Sequence, residues 1–456
     1  MKDIFLVNYS VRGIKTLDKL VSLSFYKKTI SRNLDTREYN VKGIYGMNGS
    51  GKSGIVTSVD ILKNLLINSS YLSNPIVQTN LDAIINKKVG ELFIEADYVI
   101  KLANELLYLR YSITLSKNVT GKYVISHEQL FFKKPMSKND NLTKVFEVCN
   151  GEIIFVNIKD DNAFSSMISK KTTNLLSTAS MSVLFFEKVL MELNFGNVKD
   201  KIFFVNIFTL YTLGKKLHVY MDQSDDHRRY WVQKSLNYFD DIERNNSEIS
   251  LMMKNYIELD NDYDDVLQVS GNLVFKQMYD KFLDTVRKLC EFLRIFKSDL
   301  IDIEIEKKDN HDIYECNLIM IYDSYKIHAE FESTGIKKLI RLFVYLNEMV
   351  RGEIVFIDEF DSNLHDVYLC ALLEYLMGYA EGQLCFTTHN VGPMDILKQH
   401  KKSIDFLSID SNIYPWTTNG NYSPSKLYRN GMIEGSPFNV DSIDFIGVFG
   451  LSEEDE

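Results

Sequence analysis

"VKGIYGMNGSGKSGIVTSVDILKNLL", residues 41–66, changes period in its middle. The opening residues are β-branched, aromatic or small and read as a strand. From Lys52 onward Ile55, Val59, Leu62 and Leu66 recur at helical spacing, so a strand passes through a glycine-rich loop directly into a helix. That loop fits G-x-x-x-x-G-K-[ST], with Gly46, Asn48, Gly49, Ser50, Gly51, Lys52 and Ser53 as its chemistry-bearing positions. Glycines let the backbone curl until successive N–H groups point inward at phosphate oxygens, and the helix N-terminus adds its partial positive charge. Lys52 is then placed to reach the β- and γ-phosphates of a nucleoside triphosphate, and the Ser53 hydroxyl to ligate Mg²⁺. A glycine-rich turn matching by chance is the competing reading, and an eight-residue match with both flanks correct counts against it.

Two further strands end in reactive groups. "EIVFIDE", residues 353–359, is an apolar run closing on Asp358 and Glu359, which puts two carboxylates at the carboxyl edge of a sheet, where ligands bind. Asp358 would hold Mg²⁺, directly or through water, and Glu359 would orient the attacking water as general base. "LCFTTHN", residues 384–390, delivers His389 to the same edge, where an imidazole can hydrogen-bond a γ-phosphate. Between them, "FESTGIKKLIRLF", residues 331–343, sets the turn Ser333-Thr334-Gly335 at the mouth of a helix. Ile336, Leu339, Phe343 and Leu346 mark its buried side, with Lys337, Lys338 and Arg341 elsewhere. Alone, that turn is a helix cap.

The rest of the chain supplies context. Its 456 residues suffice for two or three folding units, and 45% hydrophobic with 12% aromatic content is ample for a large core. A formal charge of -10 argues against a surface that tracks nucleic acid throughout, while leaving room for a local basic groove. Five scattered cysteines with no C-x-x-C pair suggest neither zinc nor a disulfide framework. The start, "MKDIFLVNYS", carries Asp3 and Asn8 where a leader's apolar core would stand, and the most apolar run, residues 202–213, is well short of the ~18 to 20 residues that span a bilayer. These features read as a soluble cytoplasmic chain with no membrane partner.

Strand-like runs open the sequence at residues 3–9, 19–26 and 41–46, and three more, between residues 91 and 132, read as an antiparallel meander or β wing. From about 180 to 298 the pattern becomes mainly helical. The middle of that stretch, residues 222–265, holds 12 acidic against 5 basic residues, a net of -7, and reads first as a solvated face. The last third alternates strand and helix, beginning with "CNLIMIY" at 316–322, and predicts a mainly parallel sheet covered by helices.

Taken together, these residues resemble the ATP-binding-cassette (ABC) class of ATPases, in its soluble chromosome-maintenance and repair branch of SMC, RecF and overcoming-lysogenisation-defect heads. "NYSVRGIKTLDKLVSLSF", residues 8–25, looks like the N-terminal pattern of that branch and makes Arg12 a nucleotide-side contact. "IDEFDSNLH", residues 357–365, is similar to the Walker B and D-loop and places Asp361 at a dimer seam. The resemblance implies an α/β ATPase head with a P-loop, a mainly parallel sheet and an antiparallel β wing. It covers 1–180 and 300–456, leaving 181–299 as an inserted helical subdomain. It also implies two heads face to face, with Ser333 and Gly335 of each reaching the γ-phosphate held by the other. The sequence departs from the pattern there, carrying Glu-Ser-Thr-Gly-Ile for the usual Leu-Ser-Gly-Gly-Gln, so the cap reading stays open. A Q-loop glutamine is not identified, with Gln78 and Gln129 as candidates.

Within the branch, "IDEFDSNLH" and "KLYRNGMIEGSPF", residues 426–438, look like the ATPase subunits of prokaryotic anti-phage systems such as PARIS or Septu. That likeness implies a Mg²⁺- and ATP-dependent hydrolase that assembles as a homodimer or ring of dimers and regulates a separate effector, a nuclease. The 67 residues after His389 lack the D-x-D pair of a fused nuclease, since Asp441 and Asp444 are spaced wrongly. Two alternatives stay open. One is a RecF- or SMC-like repair ATPase on DNA ends or gaps, which needs a basic groove from residues 26–32, 398–402 or the Lys337, Lys338, Arg341 face. The other is a nucleotide-locked scaffold with negligible turnover. A transporter motor fits least.

Overall fold

The computed structural model describes residues 4–28, 30, 34–102, 105–133, 142–158, 162–189, 201–221, 230–231, 267–310, 312–417 and 422–436. It is a mixed α/β structure built on three sheets. The first is antiparallel and seven-stranded, ordered Val21–Ser24, Ile4–Arg12, Glu91–Leu102, Glu105–Lys117, Tyr123–Lys133, Thr143–Cys149 and Glu152–Val156. After Ile4–Arg12 its strands follow chain order, as expected of runs joined by short turns. The second, central sheet has six strands, ordered Ile413–Pro415, Ile404–Leu407, Val41–Tyr45, Gln383–Thr387, Ile354–Ile357 and Leu217–Tyr220. All its neighbours are parallel except the Ile413–Pro415 edge.

Parallel strands covered on both faces are mainly apolar, and Val41–Tyr45, Ile354–Ile357, Gln383–Thr387 and Ile404–Leu407 are buried at every position, with the buried Lys42 paired to Asp405 at 2.7 Å. One face carries the helix Lys52–Ile67, whose Ile55, Val59, Leu62 and Leu66 are at most 1% exposed. Beside it runs Lys201–Lys216, burying Phe203, Phe204, Ile207, Leu210 and Leu213 in the core shared with the first sheet. The opposite face carries Thr334–Arg351 and Asp366–Tyr379. Among the described residues no helix is long and apolar enough to cross a membrane.

Two expectations are corrected. Residues 316–322 do not join the parallel sheet. Ile313–Ile321 pairs antiparallel with its neighbour in sequence, Asp302–Asn310, which needs no crossover of the kind parallel neighbours require, and on its other edge with Asn272–Phe275, in a third sheet. The stretch read as a helical insertion, 181–299, is mixed in its described parts. Leu217–Tyr220 follows directly from the helix Lys201–Lys216 and pairs parallel with Ile354–Ile357, while Asn272–Phe275 is a strand and Tyr279–Phe296 a helix. The acidic middle, 222–265, lies outside the described residues except for the short strand Tyr230–Trp231.

The third sheet and Tyr279–Phe296 pack on the flank of Thr334–Arg351 that faces away from the central sheet. That helix therefore lies between two cores. Leu342, Tyr345, Leu346 and Met349 enter one, and Ile336, Leu339, Ile340 and Val344 the other.

Candidate nucleotide site

Parallel register brings three chain segments to one edge. Thr387 lies opposite Ile44 and Phe386 opposite Ile357, so the loop after Tyr45, the acids after Ile357 and the residues after Thr387 all leave the sheet at its carboxyl end. The loop at 46–51 leads into the helix beginning at Lys52, with Gly49 at φ 80° and Gly51, the N-cap, at φ 105°. Gly51 has a second constraint. A Cβ there would stand 2.4 Å from Leu17 Cδ2 and 3.0 Å from Thr16 Oγ1, because the turn at 13–17 is seated on the helix mouth.

Lys52 is buried and folds back on its own loop, donating to the Gly46 carbonyl at 2.7 Å and the Met47 carbonyl at 3.1 Å. Burial pushes its pKa down to about 8, against the opposing pull of Asp358, Glu359 and Asp361. These four charges thus belong to one site. His389, exposed at the end of its strand, belongs to it as well. Its pKa is lowered by partial burial and by the Lys52 charge, and the same three carboxylates oppose that shift.

Thr387 fixes the acidic pair. Its Oγ1 donates to Asp358 Oδ1 at 2.5 Å and accepts the Glu359 N–H at 2.8 Å. The Asp358 N–H donates to the Tyr220 carbonyl at 2.9 Å, tying the pair to the strand Leu217–Tyr220. Glu359 has φ 48°, a left-handed conformation unusual for a residue with a Cβ. Sequence reading did not find Thr387. A hydroxyl two residues before a strand-end histidine is the signal that could have revealed it.

Two buried oxygens here have no hydrogen-bond partner, Ser50 Oγ in the loop and Asp361 Oδ1 after the acids. Unpartnered buried oxygens suit a site that a ligand completes. Hydroxyl and carboxylate donors match a hard cation, so Ser53 and Asp358 fit the expected Mg²⁺. Among the described residues no group of three or more His, Cys, Asp or Glu side chains is placed to hold a metal alone.

The remaining candidates are placed as follows. Arg12 is engaged by Glu91 across the first sheet. The cation of that segment whose charge reaches the site is Lys15, three residues on. Burial lowers its pKa and Asp358 raises it. Ser333 caps its helix, its Oγ accepting the Ile336 N–H at 3.4 Å. Behind it, the buried Glu332 carboxylate accepts from the Tyr322 hydroxyl and the Ser333 N–H and pairs with Lys297 at 3.7 Å. Gly335 is held close to its own chain. A Cβ there would lie 2.6 Å from the carbonyl oxygen of Asn363, so its own chain already requires a glycine.

Neither glutamine candidate lies in the site. Gln78 bridges Leu72 and Tyr123 through backbone hydrogen bonds, and Gln129 meets His127 and Glu147 in the first sheet. The basic face read on Thr334–Arg351 is also reduced. Lys338 is 3% exposed and donates into the loop after Glu359.

No family model and no curated protein matches the chain. A similar solved structure is that of the recombination mediator protein RecF–ATPrS in the RecFOR pathway, at 11% identity and a TM-score of 0.38, over 91% of this chain and 99% of that one. The likeness is too loose to assign fold or activity.

Proposed function

We propose that this chain is an ABC-type ATPase head that binds Mg²⁺–ATP at residues 46–53 and hydrolyses it to ADP and phosphate. The observation that carries the reading is the meeting of Lys52, Asp358, Glu359, Asp361 and His389 at one sheet edge, close enough that the three carboxylates act on the charges of Lys52 and His389. In this reading Lys52 leaves the Gly46 and Met47 carbonyls for the β- and γ-phosphates. Ser53 and Asp358 would hold Mg²⁺, which neutralises phosphate charge when bound. Glu359 orients a water and accepts its proton as that oxygen bonds to the γ-phosphorus and the β–γ bridge breaks, and His389, neutral, hydrogen-bonds the γ-phosphate.

The signature-like turn and Asp361 belong in this proposal to a homodimer, or a ring of dimers, closed around nucleotide. The motif likeness extends the reading to a regulator whose nucleotide state controls a separate effector in anti-phage defence. Four of the basic candidates for a DNA-tracking role are engaged or buried within the chain. Lys338 is buried, Lys401 pairs with Glu38, Lys398 with Asp395, and Lys337 donates to the Glu330 carbonyl.

Two substitutions test the core. Lys52→Ala is expected to weaken ATP binding at least about tenfold, since phosphate charge loses its main cationic partner, and unchanged affinity would sink the phosphate-loop assignment. Glu359→Gln is expected to keep ATP affinity and lower kcat by about 10²–10⁴. Turnover at the wild-type rate would remove Glu359 as the base.

A further inference from the structure

Lys338 is a buried cation to which the nucleotide reading gives no role. It sits on the helix Thr334–Arg351, 3% exposed, between positions that enter two apolar cores. An ammonium in such a place needs well-formed acceptors, because desolvation disfavours its charge. Two of its acceptors belong to the segment after Asp358. Nζ donates to the Glu359 carbonyl at 2.5 Å and to Ser362 Oγ.

Glu359 itself is held in a left-handed conformation, which persists only where surroundings over-determine it. Three contacts do so. Thr387 Oγ1 accepts its N–H, and the Ser362 N–H donates to its carbonyl at 3.0 Å from within the turn. Lys338 takes the same carbonyl from the helix, the one contact of the three supplied from outside the sheet edge. Thr334 and Lys338, spaced i and i+4, share one helix face, and both meet this segment. Thr334 Oγ1 donates to Asn363 Oδ1 at 3.3 Å, and Gly335 approaches the Asn363 carbonyl.

We infer that Lys338 is a positioning residue for Glu359. It fixes the backbone carbonyl of the water-orienting acid and ties that acid to the Ser333–Gly335 end of its helix. The inference rests on the proposed role of Glu359, and its consequence is mechanical. A displacement of the turn moves Lys338, and Lys338 moves the acid, so engagement of the turn sets whether the water is aligned. An offset near 1 Å at a reacting group costs about 10²-fold in rate.

The test compares the full-length wild type with Lys338→Met and Lys338→Arg by two readouts. Amide hydrogen exchange over residues 359–364 reports the clamp without any nucleotide. The kcat and KM for ATP report its catalytic consequence. Lys338→Met is expected to speed exchange in 359–364 beyond other peptides and to lower kcat about 10–100-fold, with KM within about twofold. Lys338→Arg, which keeps a cationic donor, is expected to recover part of both.

Unchanged exchange in Lys338→Met would overturn the clamp. Faster exchange with wild-type kcat would overturn the positioning role, as would a loss in kcat matched by an equal loss of ATP affinity. A wild type that binds no ATP, while Lys338→Met still loosens 359–364, would overturn the ATPase reading and leave the clamp standing.

Discussion

Lys52 carries its charge in surroundings that resist it, and that has a measurable sign. In the free protein its pKa is lowered to about 8, chiefly by burial. Bound phosphates favour the ammonium, so in the complex the pKa lies higher. Below pH 8 both states hold the proton and affinity is flat. Above pH 8 the free protein loses it and binding must take it up, so ATP affinity is predicted to weaken by up to about tenfold per pH unit. Titration calorimetry in two buffers of different ionisation enthalpy checks this by showing proton uptake at pH 9 that is missing at pH 6.5. Lys52→Arg should flatten the profile, because a guanidinium does not titrate in this range. A wild-type curve as flat as that variant's would show that Lys52 holds its proton in the free state.

At the scale of elements, Thr334–Arg351 decides how the acidic segment and the turn meet. Gly335 lets the helix lie against Asn363, and Gly335→Ala would drive a methyl to 2.6 Å from a backbone oxygen, well inside contact distance. The variant is predicted to lose about 1–3 kcal/mol of stability in denaturant unfolding without nucleotide. Full stability in that assay would mean the close approach is relaxed in solution and would return the glycine to a purely phosphate-facing role.

The same helix shows what the sequence could reveal. Its apolar side was readable from period alone, as were the strand, loop and helix around Lys52, because these signals are local. The burial of Lys338 was not, since a lysine on an amphipathic helix is assigned to solvent unless a second core covers that flank. Here the second core comes from strands whose pairing no local pattern reports. The reach of Lys15 toward the site was hidden for a related reason. Register places Arg12 opposite Phe93, within reach of Glu91, and the following turn carries Lys15 toward Asp358. Leu217–Tyr220 was lost because four residues at a helix end carry too little periodicity to mark a strand.

At the scale of the whole molecule, several features of the described residues that the nucleotide chemistry of a single head leaves unused lie on or beside the signature-like turn. Ser333 and Thr334 are exposed at the mouth of the helix, Phe331 beside them is 74% exposed, and Asp361 keeps a buried oxygen without a partner. An apolar ring next to polar groups at a helix N-terminus suits a surface that closes on phosphate and on another protein face. If that face belongs to a second copy, ATP is bound more tightly by the pair than by either head, and by linkage nucleotide must favour the pair by the same factor.

Glu359→Gln, which should bind without turning over, is therefore predicted to shift from monomer to dimer on adding Mg²⁺ and ATP, tightening association by at least about tenfold. Sedimentation velocity across a concentration series measures the shift. Ser333→Arg on that background places a bulky cation in the turn and is predicted to abolish the dimer while leaving ATP bound in the head's own loop. If Glu359→Gln stays monomeric with saturating nucleotide, the paired arrangement is wrong. If it pairs equally well with Ser333→Arg, the seam lies elsewhere, and the cap and the Asn363 contact account for the turn.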